Sequence, residues 1–195
     1  MPRPSRQDVD DAIVDGAAAL FARHGFAQTS LQAVADAVGY SKAGLLHHYP
    51  SKEALWAAAQ SASRDRAHEV LDLVGALPLG PDRDRRALGA LLDATLSRPG
   101  VTALTLSGIL TPAEPRPEGE DPVLLDIFGV DPRHDPDRLV RVVMAVAGLS
   151  VATLVAHRIG AAPSWRGAIA AAAFDALGHP GPGAPAPPRS DQVEA

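Results

Sequence analysis

Two lysines stand ten residues apart in a chain that otherwise uses arginine for its positive charge. Lys42 and Lys52 are the only lysines among 18 Lys and Arg residues, and His47 and His48 lie between them. There is no carboxylate between Ala37 and Lys52. Ammonium and imidazole groups donate hydrogen bonds to phosphate oxygens, so this segment is predicted to bind an anion. Taken singly, each lysine is equally explained as a solvated surface charge.

The net charge of the whole chain limits what that anion interaction can be. The 195 residues carry a formal charge of −5 at pH 7, and residues 1–54 hold five Lys and Arg against six Asp and Glu. Binding to a phosphate backbone needs positive charge, so a broadly basic nucleic-acid surface is excluded. A nucleic-acid partner is therefore expected to be held by a few well-placed contacts.

Composition narrows the remaining classes. The chain is 46% hydrophobic, enough for a sizeable core, and the absence of cysteine excludes disulfides and thiolate chemistry. The N-terminus has no apolar signal segment, and Arg141 interrupts the longest apolar stretch, residues 139–156. What remains is shorter than a bilayer span of about 20 residues. We therefore expect a cytoplasmic protein without a membrane partner.

Motifs of enzymes and metal sites are missing from the sequence. It contains no Gly-rich phosphate loop, H-E-x-x-H, G-x-S-x-G or paired-carboxylate motif. His47 and His48 are adjacent, and adjacent residues of a helix do not face one ion. We expect no enzyme activity, no cofactor and no metal.

Apolar residues recur at helical spacing, with helix-capping and helix-breaking residues between the runs. This pattern predicts that helices position the anion-binding side chains. The first helix is expected over about residues 6–24, with Gly25 as its left-handed cap. Thr29 and Gln32 form a T-x-x-Q capping box for the second helix, which Gly39 ends.

Serines are expected to cap the next two helices. Ser41 precedes a short third helix that ends near residue 49, and Ser51 precedes a long fourth helix toward residue 77. Further helices are expected to open at Pro81, Val101, Pro122, Pro136 and Ser164. Residues 111–121 are predicted to form a loop.

Residues 30–49 fit a helix-turn-helix. Ala35 is small where two helices would cross closely, and Gly39 can supply the positive φ that a tight turn needs. Apolar side chains at Val34, Val38 and Leu45 stand where the helices would meet. The second helix would be short, capped and free of carboxylates, as expected for a helix that is presented to DNA.

The longer segment, residues 25–55, resembles the DNA-binding domain of TetR-family transcriptional regulators. It reads G-F-A-Q-T-S-L-Q-A-V-A-D-A-V-G-Y-S-K-A-G-L-L-H-H-Y-P-S-K-E-A-L. The resemblance implies an all-α fold in which an N-terminal three-helix DNA-binding domain, residues 7–66, is joined by a long helix to a C-terminal domain. The C-terminal domain, residues 67–178, would bind an effector and dimerise, and residues 179–195 are expected to be a disordered tail.

The resemblance also implies which residues meet DNA. Thr29 would contact a phosphate, a recognition helix that begins at Ser41 would face base edges, and His48 and Lys52 would hold the DNA backbone. If the two histidines lie beside phosphates, their protonation should strengthen binding as the pH falls. The predicted DNA-binding residues are Thr29, Ser30, Ser41, Lys42, Ala43, Gly44, His47, His48, Tyr49 and Lys52.

Several of these residues have a structural alternative. Thr29 and Ser41 fit ordinary helix caps, and Tyr49 fits the core. The family usually has aromatic residues at positions 46 and 48, where this chain has Leu46 and His48. Two common phosphate contacts are therefore missing, and the operator sequence is not predictable from the family.

The C-terminal region is expected to hold the dimer interface. Residues 142–156 are apolar nearly all round, which predicts burial on more than one side. We expect a homodimer through helices at 137–158 and 164–177, arranged as a four-helix bundle. A monomeric core helix is the alternative.

The family pattern also implies a small-molecule pocket beside the fourth helix. An effector that prefers one spacing of the two DNA-binding heads would release them from DNA. Mainly apolar surroundings favour a hydrophobic or aromatic effector, although each candidate residue is also explained as core. The candidate lining residues are Trp56, Thr102, Thr105, Met144, Ser150 and His157.

Two classes of function follow. The first is a dimeric repressor released from a near-palindromic operator by the effector. The second is a helical small-molecule-binding or scaffold protein without operator binding. The carboxylate-free segment from Ser41 to Lys52 favours the first.

Overall fold

The computed structural model describes residues 5–110 and 123–179. Within these ranges the chain is all-helical, as predicted, and no strand occurs. The predicted loop at 111–121 and the predicted tail, apart from His179, lie outside the described residues. The helices are α1 Arg6–Gln28, α2 Leu31–Val38, α3 Lys42–His48, α4 Lys52–Val74, α5 Pro81–Ser97, α6 Pro99–Leu110, α7 Val123–Phe128, α8 Pro136–Arg158 and α9 Ala162–Ala176.

The junction of α1 and α2 differs from the prediction. Gly25, with φ 77° and ψ 163°, breaks the helix in a conformation that differs from the expected left-handed cap, and a further helical stretch runs to Gln28. The cap of α2 is Ser30, whose Oγ accepts from the backbone N–H of Ala33 at 3.1 Å. Thr29 ends α1 and does not cap α2, because its hydroxyl donates to the carbonyl of Gly25 at 2.8 Å. The predicted T-x-x-Q capping box is therefore wrong.

The next three boundaries are confirmed. Gly39 is left-handed, with φ 76° and ψ 26°, and ends α2 as expected. The Oγ of Ser41 accepts from the N–H of Gly44 at 3.0 Å, and the Oγ of Ser51 accepts from the N–H of Ala54 at 3.1 Å. Each serine thus satisfies a free donor in the first turn of its helix.

The two last helices begin in different ways. Asp135 caps α8 as expected, since its carboxylate accepts from the N–H of Arg138 at 3.0 Å. Ser164 does not cap α9, which already begins at Ala162. Its hydroxyl instead donates to the carbonyl of Ala161 at 3.0 Å.

Two clusters of buried side chains divide the molecule. The N-terminal cluster joins α1, α2 and α3 to the first turns of α4, and it includes Val101 and Leu104 of α6. The C-terminal cluster joins the end of α4 to α5, α7, α8 and α9. Although α6 follows α5 directly in the chain, its first turns pack in the N-terminal cluster, and α6 therefore connects the two clusters.

Helix α8 is buried on one side within this chain. Val142, Ala145 and Leu149 face the C-terminal cluster, whereas the opposite side is solvent-exposed. By length and composition alone, α8 is also the one described helix that could cross a membrane, with a third of the relevant stretch buried in the fold. The sequence predicted that α8 is buried on more than one side, but a single copy of the chain buries only one side of it.

Candidate nucleic-acid interface

Helix α3 presents a short, carboxylate-free surface to solvent. Leu45 is fully buried in the N-terminal cluster, which fixes the inner side of the helix. Ser41, Lys42, Ala43 and His47 are exposed at its start and on its outer side. The small residues leave the helix backbone accessible, and Lys42 supplies a cationic donor. This surface has the chemistry that is needed to approach a polyanion.

Helix α2 ends in a tight turn that places α3 across it. The backbone N–H of Tyr40 donates to the carbonyl of Ala35 at 2.9 Å, which closes the turn around Gly39. Ser30 is exposed at the start of α2. Ala35 is fully buried where the helices approach, as its small size predicted.

Thr29 is placed differently from the expected phosphate contact. Thr29 is only 3% exposed, and its hydroxyl lies within hydrogen-bond distance of the carbonyl oxygens of Leu20 and Gly25. A hydroxyl that is buried and already donating does not meet a DNA backbone in this conformation. Thr29 instead closes the turn between α1 and α2, and the neighbouring Ser30 is the exposed hydroxyl.

Lys52 has an internal partner. Its Nζ donates to the carbonyl of Phe26 at 2.9 Å and lies 4.3 Å from the centre of the Phe26 ring. The ammonium group thus binds the end of α1, where helical carbonyls lack helix partners. Lys42 has no such partner and extends from an exposed position.

Tyr49 and Gly44 lie behind the exposed surface. Tyr49 packs against the N-terminal cluster as its structural alternative predicted, and burial raises the pKa of its phenol, with further raising by Asp10 and Asp11. Gly44 is half-buried, and a Cβ there would lie 3.2 Å from the Oγ of Ser41. Gly44 therefore leaves room for the serine that caps α3.

His48 also has an internal partner. Its Nδ1 lies 2.7 Å from Oδ1 of Asp10 in α1, and its side chain is 17% exposed. The sequence interpretation did not identify Asp10, because the two residues are 38 positions apart and no local pattern links them. Of the two histidines, only His47 is exposed.

The predicted effector-binding residues do not converge on one cavity. Trp56 packs on Phe21 in the N-terminal cluster, with the two rings edge to face and their centres 5.0 Å apart. Met144 is 64% exposed on the outer side of α8, and His157 is exposed beside the end of α5. These three residues lie in three different places in the fold, so the described residues do not bring them together.

The other three candidates are Thr102, Thr105 and Ser150. The two threonines make hydrogen bonds within or between helices, and the serine is buried. Thr102 donates to the carbonyl of Arg98, and the hydroxyl of Thr105 lies 2.7 Å from that of Ser63. Ser150 is buried on the inner side of α8. None of the three is brought to a cavity with Trp56, Met144 or His157.

Two of the clefts in the part of the chain that the structure describes are open grooves of similar volume. One, of about 580 Å³, lies between α4 and α5 and is lined by apolar Val70, Leu73 and Ala90 with Arg66 and Asp93. The other, also about 580 Å³, lies between α1, α2 and the end of α5. In residues 5–110 and 123–179, no group of three or more His, Asp or Glu side chains could hold a metal ion.

The segment that carries this surface matches a known protein family. The family model for bacterial regulatory proteins of the tetR family matches residues 13–59, which span the interface. The N-terminal domain is that of the tetR family. Residues 13–59 therefore form a DNA-binding domain of the TetR-family type, and DNA binding is implied by that family.

Solved TetR structures are similar over most of the chain. A TetR-like transcriptional regulator from Rhodococcus sp. RHA1 is 25% identical, with 90% of this chain and 87% of that chain covered and a TM-score of 0.45. A TetR family transcriptional regulator from Thermus thermophilus is 22% identical, with 90% and 96% covered and a TM-score of 0.47. No curated protein matches the chain. The family assignment rests on residues 13–59.

Proposed function

We propose that the protein is a sequence-specific, cytoplasmic DNA-binding repressor that acts as a homodimer and is released from a near-palindromic operator by a small effector. The observation that carries the proposal is the start of α3, which is serine-capped, exposed and free of carboxylates. Its side chains, above all Lys42 and His47, are the ones that can reach base edges. The predicted contacts that are exposed are Ser30, Ser41, Lys42, Ala43 and His47.

The DNA-binding proposal is tested with a duplex selected from a random pool by the wild-type chain. We expect Lys42→Ala to lose about 1–3 kcal/mol of binding free energy on the selected duplex, and much less on a scrambled duplex. Arg86→Ala is the matched control, because it removes one exposed positive charge on α5, far from α3. A wild-type chain that selects no sequence would exclude operator binding and favour the scaffold alternative.

The dimer proposal is supported by the outer side of α8. Five large apolar side chains of α8 are 42–64% exposed, Ile159 just beyond its end is 58% exposed, and Trp165 of α9 is 40% exposed. An apolar stripe of this kind on the surface of a domain marks an interaction surface. A second copy related by a two-fold axis would bury the stripe against itself. The five residues of α8 are Val140, Val143, Met144, Val151 and Val155.

Sedimentation of variants tests the interface. We expect the wild type to be a dimer at micromolar concentration, and Val151→Asp to be largely monomeric because a carboxylate would be buried without a partner. Leu79→Asp introduces the same change at a 62% exposed position outside the stripe and should leave the dimer intact. A monomeric wild type would overturn the proposal.

The effector proposal rests on the cleft between α4 and α5. Its volume of about 580 Å³ is in the range of small-molecule sites, and Val70, Leu73 and Ala90 give it an apolar floor. We expect aromatic compounds that release the selected duplex from the wild type to lose this effect in Ala90→Trp, which fills the cleft. Unchanged release by Ala90→Trp would move the effector site elsewhere.

A further inference from the structure

His48 and Asp10 join the recognition helix to the first helix. The His48 Nδ1 lies 2.7 Å from Asp10 Oδ1, close enough for a strong hydrogen bond. Within residues 5–110 and 123–179, this is the one side-chain hydrogen bond that connects α3 to another helix. It lies in the last turn of α3, at the opposite end from the serine cap.

The rest of α3 is held mainly by one buried side chain. The helix has seven residues, of which Leu45 is fully buried. A short helix with one apolar anchor keeps its position, but its rotation about that anchor is weakly defined because apolar contacts are non-directional. A second, directional contact three residues later restricts that rotation.

The surroundings hold His48 and Asp10 toward each other. The other carboxylate oxygen of Asp10 is 3.9 Å from Arg6, and the ring of Tyr40 meets that of His48 edge to face, with centres 5.8 Å apart. The centre of the His47 ring is 5.9 Å from that of His48. His48 is therefore packed between aromatic neighbours while His47 remains exposed.

The chemistry of the ring argues against a direct phosphate contact by neutral His48. A neutral imidazole that donates from Nδ1 has an acceptor at Nε2, and an acceptor does not bind a phosphate oxygen. The ring would have to leave Asp10 or become an imidazolium before it could bind DNA.

We propose that Asp10 and His48 are positioning residues whose hydrogen bond sets the rotation of α3, and with it the place where Lys42 and His47 meet the bases. The inference rests on the proposed DNA binding. It differs from the role expected from the family resemblance, in which His48 holds the DNA backbone. It adds Asp10, a carboxylate on α1, to the residues on which sequence recognition depends.

Two matched pairs of variants test the proposal on the duplex selected by the wild type. Asp10→Asn and Asp10→Ala remove the same charge, but asparagine keeps an oxygen that accepts from His48. His48→Asn places an amide N–H where Nδ1 stood, and His48→Leu removes the donor. We expect about a tenfold loss of affinity in Asp10→Ala and His48→Leu, and less than about threefold in the two asparagine variants.

The double variant and a scrambled duplex complete the experiment. Asp10→Ala combined with His48→Leu should bind no more weakly than either alone, because both remove one shared bond. Affinity for the scrambled duplex should be equal in Asp10→Asn and Asp10→Ala, since only rotation of α3 differs. Thermal unfolding identifies a variant that loses affinity by unfolding, and the His48 pair then carries the test.

Three results would overturn the inference. Wild-type affinity in Asp10→Ala would show that the hydrogen bond does not position α3. An equal loss in His48→Asn and His48→Leu would identify His48 as a DNA contact, and so would additive losses in the double variant. A wild type without sequence preference would instead contradict the proposed function, so the two failures are distinguishable.

Discussion

The polar groups of the two clusters differ in how deeply they are buried. In the C-terminal cluster, the Asp84 carboxylate is 2% exposed and binds both Arg138, at 2.6 Å, and His179, at 2.7 Å. In the N-terminal cluster, the Asp10 carboxylate is 34% exposed and binds His48. The carboxylate–histidine contact of the C-terminal cluster thus lies in the interior, whereas that of the N-terminal cluster lies near the surface.

The depth of burial determines whether each contact contributes to stability or to the position of a helix. A buried charge that loses its partner costs much of the folding free energy, because water cannot replace the partner. A carboxylate near the surface is rehydrated when its partner is removed, so the fold survives and the position of the bonded helix changes. We therefore assign stability to the Asp84 group and positioning to the Asp10 group.

The largest effect is expected at Arg138. Arg138→Ala leaves Asp84 buried with His179 alone and should lower the free energy of unfolding by about 3–5 kcal/mol, as measured by urea denaturation. Arg86→Ala, at an exposed position on α5, should change it by no more than about 0.5 kcal/mol. Similar losses in the two variants would remove the contrast between the clusters.

The next largest loss of stability is expected at the contact between α6 and α1. A Cβ on Gly100 would overlap the backbone oxygen of Asp15, so α6 approaches α1 at a point where only glycine fits. Gly100→Ala should cost about 1–3 kcal/mol of stability, as measured by urea denaturation, because α6 must move away. Gly89→Ala is the control, since a Cβ there meets nothing within 4 Å, and it should stabilise α5 by up to about 1 kcal/mol.

A smaller loss is expected at Lys52. Lys52→Ala removes the hydrogen bond to the Phe26 carbonyl and the ammonium contact with its ring, which together should cost about 1–2 kcal/mol of stability. Lys42→Ala lacks such contacts and should leave the melting temperature unchanged while it weakens DNA binding. An unchanged melting temperature in Lys52→Ala would show that these contacts do not stabilise the fold. Lys52 would then again be assigned to the predicted DNA contacts.

The smallest effect is a pH dependence at Asp15. Burial raises the pKa of this carboxyl, although the backbone N–H groups of Val101 and Gly100 bind it and act in the opposite direction. A raised pKa makes the folded state lose stability as the pH rises above the ordinary aspartate value. Asn keeps an acceptor for Val101 without the charge, so the stability of Asp15→Asn relative to wild type should increase between about pH 4 and pH 7.

Asp131→Asn is the control of opposite sign. A hydrogen bond with His134 and one from the N–H of Arg133 lower the pKa of Asp131, so its contribution to stability is lost as the pH falls. The stability of Asp131→Asn relative to wild type should therefore decrease as the pH rises from about 2 to about 4, around the ordinary aspartate value. Urea denaturation measures Asp131→Asn in that range and Asp15→Asn between about pH 4 and pH 7, and slopes of the same sign would contradict at least one of the two assignments.

Much of the fold was predictable because its signals are local. Gly39, Ser41 and Ser51 act within a few residues of their own positions, so their roles as helix boundaries follow from the residue type and the spacing. Asp135 was predictable for the same reason. Two adjacent candidates, Thr29 and Ser30, could not be ranked by such rules, because the choice between them depends on whether the Thr29 hydroxyl turns toward Gly25.

The candidate site was predictable in part. The exposed start of α3 could be predicted from its sequence, because the serine cap and the absence of carboxylates depend only on residues in or next to that helix. The expected roles of His48 and Lys52 do not agree with their surroundings, since each has a partner elsewhere in the chain. The expected effector residues were chosen by polarity alone, and polarity does not determine which side of a helix faces inward.

The sequence by itself determined the helices, their order, the tight turn at Gly39 and the family of the N-terminal domain, because each of these depends on residues that are close in the chain. The tertiary structure decided which charged side chains are available to a partner. Asp10 meets His48 from 38 positions away, and Arg138 meets Asp84 from 54 positions away. Such pairs form only when packing of the two clusters brings the helices together, and a polar group with an internal partner is no longer presented to DNA.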